Sequence, residues 1–217
     1  VHPLYDSKTK MLFPRMWSSD ERHRDFYDWY VYDGASRPRS VNVDGRSYEV
    51  PTMGQNLKYF FGYQLNWMYW RYFMWNFVGR QNDIHSPVPG DPFKGNWESG
   101  VGFIDRLMLG DQRDAPEALL NNPGKNHYFF LPLLLGLIGL LFQSFRDKRG
   151  AWVTFLLFFM TGIAIVIYLN QPPYQVRERD YAYAGSFYAF SIWIGLGVAA
   201  LAGWVNEKLG SGTARVG

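Results

Sequence analysis

Hydrophobic and polar positions separate along this chain into two regimes. Over residues 1–126 charges of both signs recur every few positions, fifteen Lys and Arg against fifteen Asp and Glu. Beyond residue 126 they vanish except in three short patches. The uncharged runs left between them cover residues 128–145, 151–169 and 183–205, which are eighteen, nineteen and twenty-three positions long. A helix crossing the hydrocarbon core needs about 20 apolar residues, with a range of about 17–25. The pattern therefore predicts an α-helical membrane protein with three transmembrane helices.

The polar half reads as mixed and loop-rich. In "RSVNVDGRSYEV" two short extended runs flank Asp44-Gly45, a two-residue pair that favours a hairpin turn, and Pro51 ends the second run. Residues 59–77, "YFFGYQLNWMYWRYFMWNF", hold eleven aromatics in nineteen positions. The other readings are an aromatic core stripe of the outer domain and a fourth span, but against the span Leu65 is the stretch's only branched aliphatic residue and Arg71 would fall near the bilayer centre. Trp and Tyr favour the headgroup level, so the expectation is an interfacial aromatic helix with Trp67, Trp70, Arg71 and Trp75 at the membrane surface. From residue 79 to 126 turn formers dominate, with one short helix expected over 103–109.

Composition by itself would mislead. The 217 residues have a mean hydropathy of −0.22, an ordinary soluble value. Charge distribution adds orientation. The connector "RDKRG" nets +2 and the tail after Val205 nets +1, whereas "RERD" at 177–180 nets zero. Lys and Arg stay on the cytoplasmic side, which places residues 1–126 and the "RERD" turn in the periplasm of a bacterial inner-membrane, multi-pass protein. The expected units are an extracytoplasmic region at 1–126, a three-span bundle at 127–205 and a cytoplasmic tail at 206–217. A polar first half without a signal peptide suggests a piece of a larger polytopic protein.

Much familiar chemistry is missing. The chain has no cysteine and no Asn-x-Ser/Thr. His2, His23, His85 and His127 lack metal-ligand spacing, so no metal site is expected. No phosphate-binding or dinucleotide fingerprint occurs in a strand–helix context, "GSGTARVG" included. The sequence pI of about 9.0 comes from membrane-retention charges, so no nucleic-acid partner is expected.

The densest ion cluster, Arg177-Glu178-Arg179-Asp180, lies between two apolar runs just after Pro172-Pro173. In an extended turn alternate residues share a side, so Arg177 and Arg179 would form a fork for the phosphate of a lipid carrier. Glu178 and Asp180 would face away, Asp180 capping the third span, with Tyr174 and Tyr181 supporting the loop at interface depth. The competing reading is a self-neutralising, salt-bridged turn.

Four segments, "FGYQLNWMYWRYFMWNFVGRQND", "KGNWESGVGFIDRLMLGD", "FLLFFMTGIAIVIYLNQPPYQ" and "RERDYAYAGSFYAFSIWIGLG", closely resemble large multi-span Bacteroidota proteins that carry the domain of unknown function 2723. Those proteins look like protein O-mannosyltransferase-like enzymes that use polyprenyl-phosphate sugars. The resemblance implies the carboxy-proximal part of a membrane-embedded glycosyltransferase acting on protein Ser/Thr hydroxyls, with its catalytic carboxylate upstream. Expected partners are membrane lipid, the lipid-linked sugar donor and a protein acceptor. No cofactor is indicated, though a divalent cation at the phosphate stays open. A non-catalytic membrane scaffold or binding module is the alternative, and a transporter or flippase fragment a third reading that charge-free spans disfavour. The topology has a direct test. Single cysteines replacing Ser36 and Lys148 should differ in intact cells, with an impermeant thiol reagent labelling position 36 only. Labelling at 148 and not at 36 would reverse the orientation.

Overall fold

A computed structural model describes residues 6–16, 18, 20–32, 36–113 and 115–213, with side chains through residue 208. His2 and Arg215 lie outside the described residues. The aromatic stretch organises the rest. Thr52 starts a helix with a capping box, its hydroxyl accepting from the Gln55 N–H while the Gln55 side chain accepts from the Thr52 N–H. The helix runs as α2 (Met53–Tyr59), continues through a π-helical stretch (Phe60–Trp70) and ends as α3 (Arg71–Phe77). Such wide turns usually appear singly; here eleven residues adopt them.

This rod does not lie along a surface. Tyr59, Tyr63 and Tyr72 are fully buried, and Trp67, Arg71 and Trp75 are buried with them. The expectation of an interfacial helix is corrected accordingly: the rings turn inward because the protein itself wraps the rod. α1 (Glu21–Tyr30), capped by Asp20, contributes Phe26 and Tyr27 to one side. Phe26 meets Tyr63 edge-on at 5.0 Å, and Tyr59 stacks on Tyr63 at 5.3 Å. From Tyr59 to Phe77 only a narrow stripe of Phe61, Asn66, Trp70 and Asn76 stays exposed.

The rest of the polar half is short elements. β1 (Arg39–Val43) pairs antiparallel with β2 (Arg46–Val50), closed by Asp44 and Gly45, both at positive φ. β3 (Gly79–Arg80) pairs with β4 (Asn126–His127), so the long connector that holds α4 (Gly102–Leu109) and α5 (Glu117–Leu120) returns to its starting point.

Then come α6 (Leu131–Arg146), α7 (Lys148–Thr161), α8 (Ile163–Leu169) and, after a 3₁₀ turn (Asp180–Tyr183), α9 (Ala184–Thr213). The chain is mostly helical, and two helices are long and apolar enough to cross a membrane: Lys148–Leu169, broken at Gly162, and Asp180–Lys208. Only 17% and 22% of their apolar windows are buried, so most of this surface faces outward. Three spans were expected, and the first of them, at 128–145, is corrected. Tyr128 donates its N–H to the Val78 carbonyl and Phe129 to that of Ser99, extending β4's path. Phe129 and Phe130 then take left-handed φ values of 53° and 61°, so the helix begins only at Leu131. Sixteen residues give about 24 Å, short of the ~30 Å core.

α6 packs on α9 through glycine. A Cβ at Gly139 would run into the Trp193 carbonyl, one at Gly197 into the Leu135 carbonyl, and one at Gly136 into the Phe190 ring. Small residues allow such backbone approach. The Trp193 indole donates to Gln143 Oε1 at 2.8 Å, and Gln143 donates on to Thr154 at 3.4 Å, linking the three helices. Gly139→Ala should therefore lower stability by about 1–3 kcal/mol, measured as a drop in thermal midpoint in detergent. Gly195→Ala and Gly203→Ala, which meet open space, should be neutral or stabilising. Equal midpoints for all three variants would refute the close approach.

Candidate functional site

The turn between α8 and α9 is built against the aromatic rod. α8 ends because Asn170 is left-handed (φ 41°) and Pro172-Pro173 cannot continue a helix. Polar groups on the rod then receive the turn in sequence. Tyr59 donates to the Gln171 carbonyl at 2.8 Å, and Gln64 to the Asn170 side chain at 2.9 Å and the Gln171 carbonyl at 3.0 Å. From the other side, Arg15 donates to the Ile167 carbonyl at 2.8 Å. Gln175 closes the turn on itself, donating to the Pro172 carbonyl at 2.7 Å.

Seven residues further along the rod, Arg71 reaches Glu178. Nη2 lies 2.7 Å from Oε2 and Nη1 lies 3.4 Å from Oε1. The guanidinium also donates to the Trp67 carbonyl at 3.1 Å and the Gly95 carbonyl at 2.8 Å. It sits 4.2 Å from the Trp67 ring centre, 4.5 Å from Tyr72 and 4.8 Å from Trp75. Gly95 has φ 62°, and a side chain there would press on both Arg71 and the Ile84 carbonyl. Tyr72 donates its hydroxyl to Glu178 Oε2 through a short hydrogen bond and accepts the Arg179 N–H at 3.2 Å. The Ser86 N–H donates to Oε1 at 3.0 Å. His85 donates Nε2–H to the Gln175 carbonyl at 2.8 Å, since a carbonyl only accepts, and its Nδ1 lies 3.2 Å from Oε1.

The electrostatics follow from these contacts. Burial alone would raise the Glu178 pKa. Arg71, through charge and hydrogen bonds, outweighs burial with help from Tyr72 and the Ser86 N–H, and the carboxyl is held below the ordinary range. Burial pushes the Tyr72 phenol well up. Glu178 is thus a saturated anion, suited to holding structure and unsuited to accepting a further proton as a base.

The two arginines of the turn are left open. Among the described residues, neither Arg177 nor Arg179 has an acidic partner within ion-pair distance. Arg177 is exposed, 5.5 Å from the Tyr181 ring centre. Arg179 is half-buried, and its Nε is buried without a hydrogen-bond partner. Asp180 makes no capping bond; the turn into α9 has no side-chain cap. Tyr174 adopts φ 56° and meets Phe26 edge-on at 5.9 Å, while Tyr181 is exposed. Of the four residues placed at a membrane surface only Trp70 is exposed; Trp67, Arg71 and Trp75 face the protein interior because Glu178 gives Arg71 its counter-charge there. Sequence reasoning missed Arg71 as part of this site. The signal was present, since a lone charge in an aromatic run requires a partner.

Residues 1–61 match a family described as Family of unknown function (DUF8416). No curated protein and no solved structure matches the chain. The domain of unknown function 2723 gives no match, so the resemblance drawn from the four aromatic and apolar segments is corrected. Three of the four take their composition from what they build, an aromatic core and two long apolar helices, and the fourth, at 94–111, is connector and α4. The O-mannosyl acceptor and the upstream carboxylate inferred from that resemblance lose their ground with it.

Breaking the ion pair should be costly. Arg71→Met leaves Glu178 without its countercharge and should lower stability by about 3–5 kcal/mol, with partial recovery in Arg71→Met/Glu178→Gln. The pH dependence has a definite sign. A depressed folded pKa stabilises above the unfolded value of about 4.3, and this contribution disappears as pH falls through the still lower folded pKa. The wild type should thus lose thermal midpoint over the acid range more steeply than Glu178→Gln. Parallel acid profiles would show that Glu178 carries no such linkage.

Proposed function

We propose that this chain belongs to a membrane protein that holds the phosphate of a lipid-linked sugar at Arg177 and Arg179, forming the donor side of a glycosyl transfer. The observation that carries the reading is the commitment of Glu178 to Arg71. A self-neutralising turn needs Glu178 or Asp180 to pair with the neighbouring arginines, and neither does among the described residues. Two guanidiniums without a counter-anion then stand in a turn joining two helices of membrane length. A phosphate presents only acceptors, and guanidinium forks match it. During transfer the leaving phosphate gains charge, which fixed cations stabilise.

The outward apolar residues of α7 and α9, such as Trp152, Val153, Val198 and Trp204, support a membrane setting. The Lys and Arg of the 146–149 connector support the Arg177–Asp180 turn, one span away, facing the periplasm across a bacterial inner membrane, and the aromatic rod that receives this turn supports the polar half sharing its side. The experiment is binding of a short-chain polyprenyl phosphate to the protein in nanodiscs, read by native mass spectrometry. A charge-assisted hydrogen bond contributes about 1.5–3 kcal/mol, so Arg177→Ala/Arg179→Ala should weaken binding roughly ten-fold to over a hundred-fold with thermal midpoint unchanged. Arg179→Lys should fall between. Undiminished binding by the stable double variant would end the phosphate assignment and leave a membrane scaffold as the reading.

A further inference from the structure

Beside the arginine turn lies a cavity of about 210 Å³ lined by Trp75, Asn76, Arg80, Asn126, Tyr128 and Asp180. Four parts of the chain meet there: the end of α3, the β3–β4 pair, the turn before α6, and the residue following Arg179. Set against the ~10–15 Å³ of such space that holds one water, this is room for a ring-sized polar molecule.

The lining offers donors and acceptors in near balance. Arg80 uses its Nε on the Gly124 carbonyl at 2.9 Å, leaving both Nη groups without an acidic partner among the described residues. Asn76 donates to the Tyr72 carbonyl at 2.7 Å and keeps its Oδ1. Asn126 accepts the Arg80 N–H on Oδ1 at 2.9 Å and keeps its amide hydrogens. Among the described residues the Asp180 carboxylate has no hydrogen bond or ion pair. Trp75, 6% exposed, walls the cavity, and its indole N–H is buried out of reach of an occupant.

One positive and one negative side chain cancel. A bare phosphate would place its charge against Asp180, and an apolar occupant would leave every one of these groups unsatisfied. A neutral polyol, whose hydroxyls each donate and accept, satisfies both sets. We infer that this cavity binds the sugar ring of the lipid-linked donor, a neutral hexopyranose, next to the phosphate held by Arg177 and Arg179. The inference rests on the phosphate reading for its lipid and on the cavity alone for its sugar.

The experiment separates the two. Protein in nanodiscs is titrated with sugar-free polyprenyl phosphate, with polyprenyl-phosphate hexoses of gluco, manno and galacto configuration, and with the corresponding methyl hexopyranosides in solution. At least one hexosylated lipid should bind ten-fold or more tighter than the sugar-free lipid. Asp180→Asn and Tyr128→Phe should remove that preference without weakening sugar-free lipid binding or lowering the thermal midpoint, because neither side chain holds a hydrogen bond or ion pair among the described residues. At least one methyl hexopyranoside should bind in a manner sensitive to Asp180→Asn. If no hexosylated lipid is preferred and no methyl glycoside binds, the inference is overturned. Equal weakening of both lipids by Asp180→Asn overturns it as well. If the sugar-free lipid does not bind while an Asp180-sensitive glycoside does, the phosphate reading fails and the sugar cavity stands.

Discussion

A guanidinium enclosed by three aromatic rings has to find a counter-charge, and in this chain Glu178 is the acid that reaches Arg71. Arg71 is 2% exposed, too deep for water to stabilise it. The pair joins the aromatic rod to the turn between the two long apolar helices, positions 107 residues apart in sequence. Neighbouring groups converge on that contact. Gly95 curves to bring a carbonyl to Arg71, Ser86 turns an N–H toward the carboxylate, and Tyr72 ties the same carboxylate to the backbone of Arg179. Replacing a buried pair by apolar residues is often neutral for stability, so its more defensible role is to specify one arrangement of the turn.

That arrangement divides the four charges of the turn by function. Glu178 faces inward with every lone-pair direction engaged by donors. Arg177, Arg179 and Asp180 are left with their polar groups largely unspent, in a stretch whose backbone is fixed by Gln171, Gln175 and Tyr72. Open side chains on a pinned backbone suit binding, because little ordering remains to be done when a ligand arrives.

The sequence was legible where local rules decide the outcome. Asp44-Gly45 made the hairpin turn because both residues tolerate positive φ, and the runs at 151–169 and 183–205 made long apolar helices because no charge or proline interrupts them, only the break at Gly162 marking the first. The run at 128–145 has the same composition and yields a shorter helix. Two phenylalanines in left-handed conformation set its start, where the Tyr128 and Phe129 N–H groups donate to the Val78 and Ser99 carbonyls, contacts that no local pattern encodes. The aromatic stretch was recognised as unusual and placed wrongly, since ring composition alone does not say whether lipid or protein will cover it. The turn's charges were singled out as a cluster, but their partner lay far upstream. A complete search for acids able to neutralise Arg71 would have had few to consider beyond residue 126: Asp147, Glu178, Asp180 and Glu207.

The glycine contact between α6 and α9 has a consequence for the medium in which the protein works. Where the missing Cβ would point, Gly139 directs a Cα–H at the Trp193 carbonyl, and Gly197 directs one at the Leu135 carbonyl. Weak hydrogen bonds of this kind contribute about 0.5–1 kcal/mol each and need no water to act, unlike apolar burial, which loses its drive between helices already surrounded by hydrocarbon. The pair is therefore cohesive in the solvent where ordinary hydrophobic packing is weakest, and its grip strengthens as the surroundings become drier.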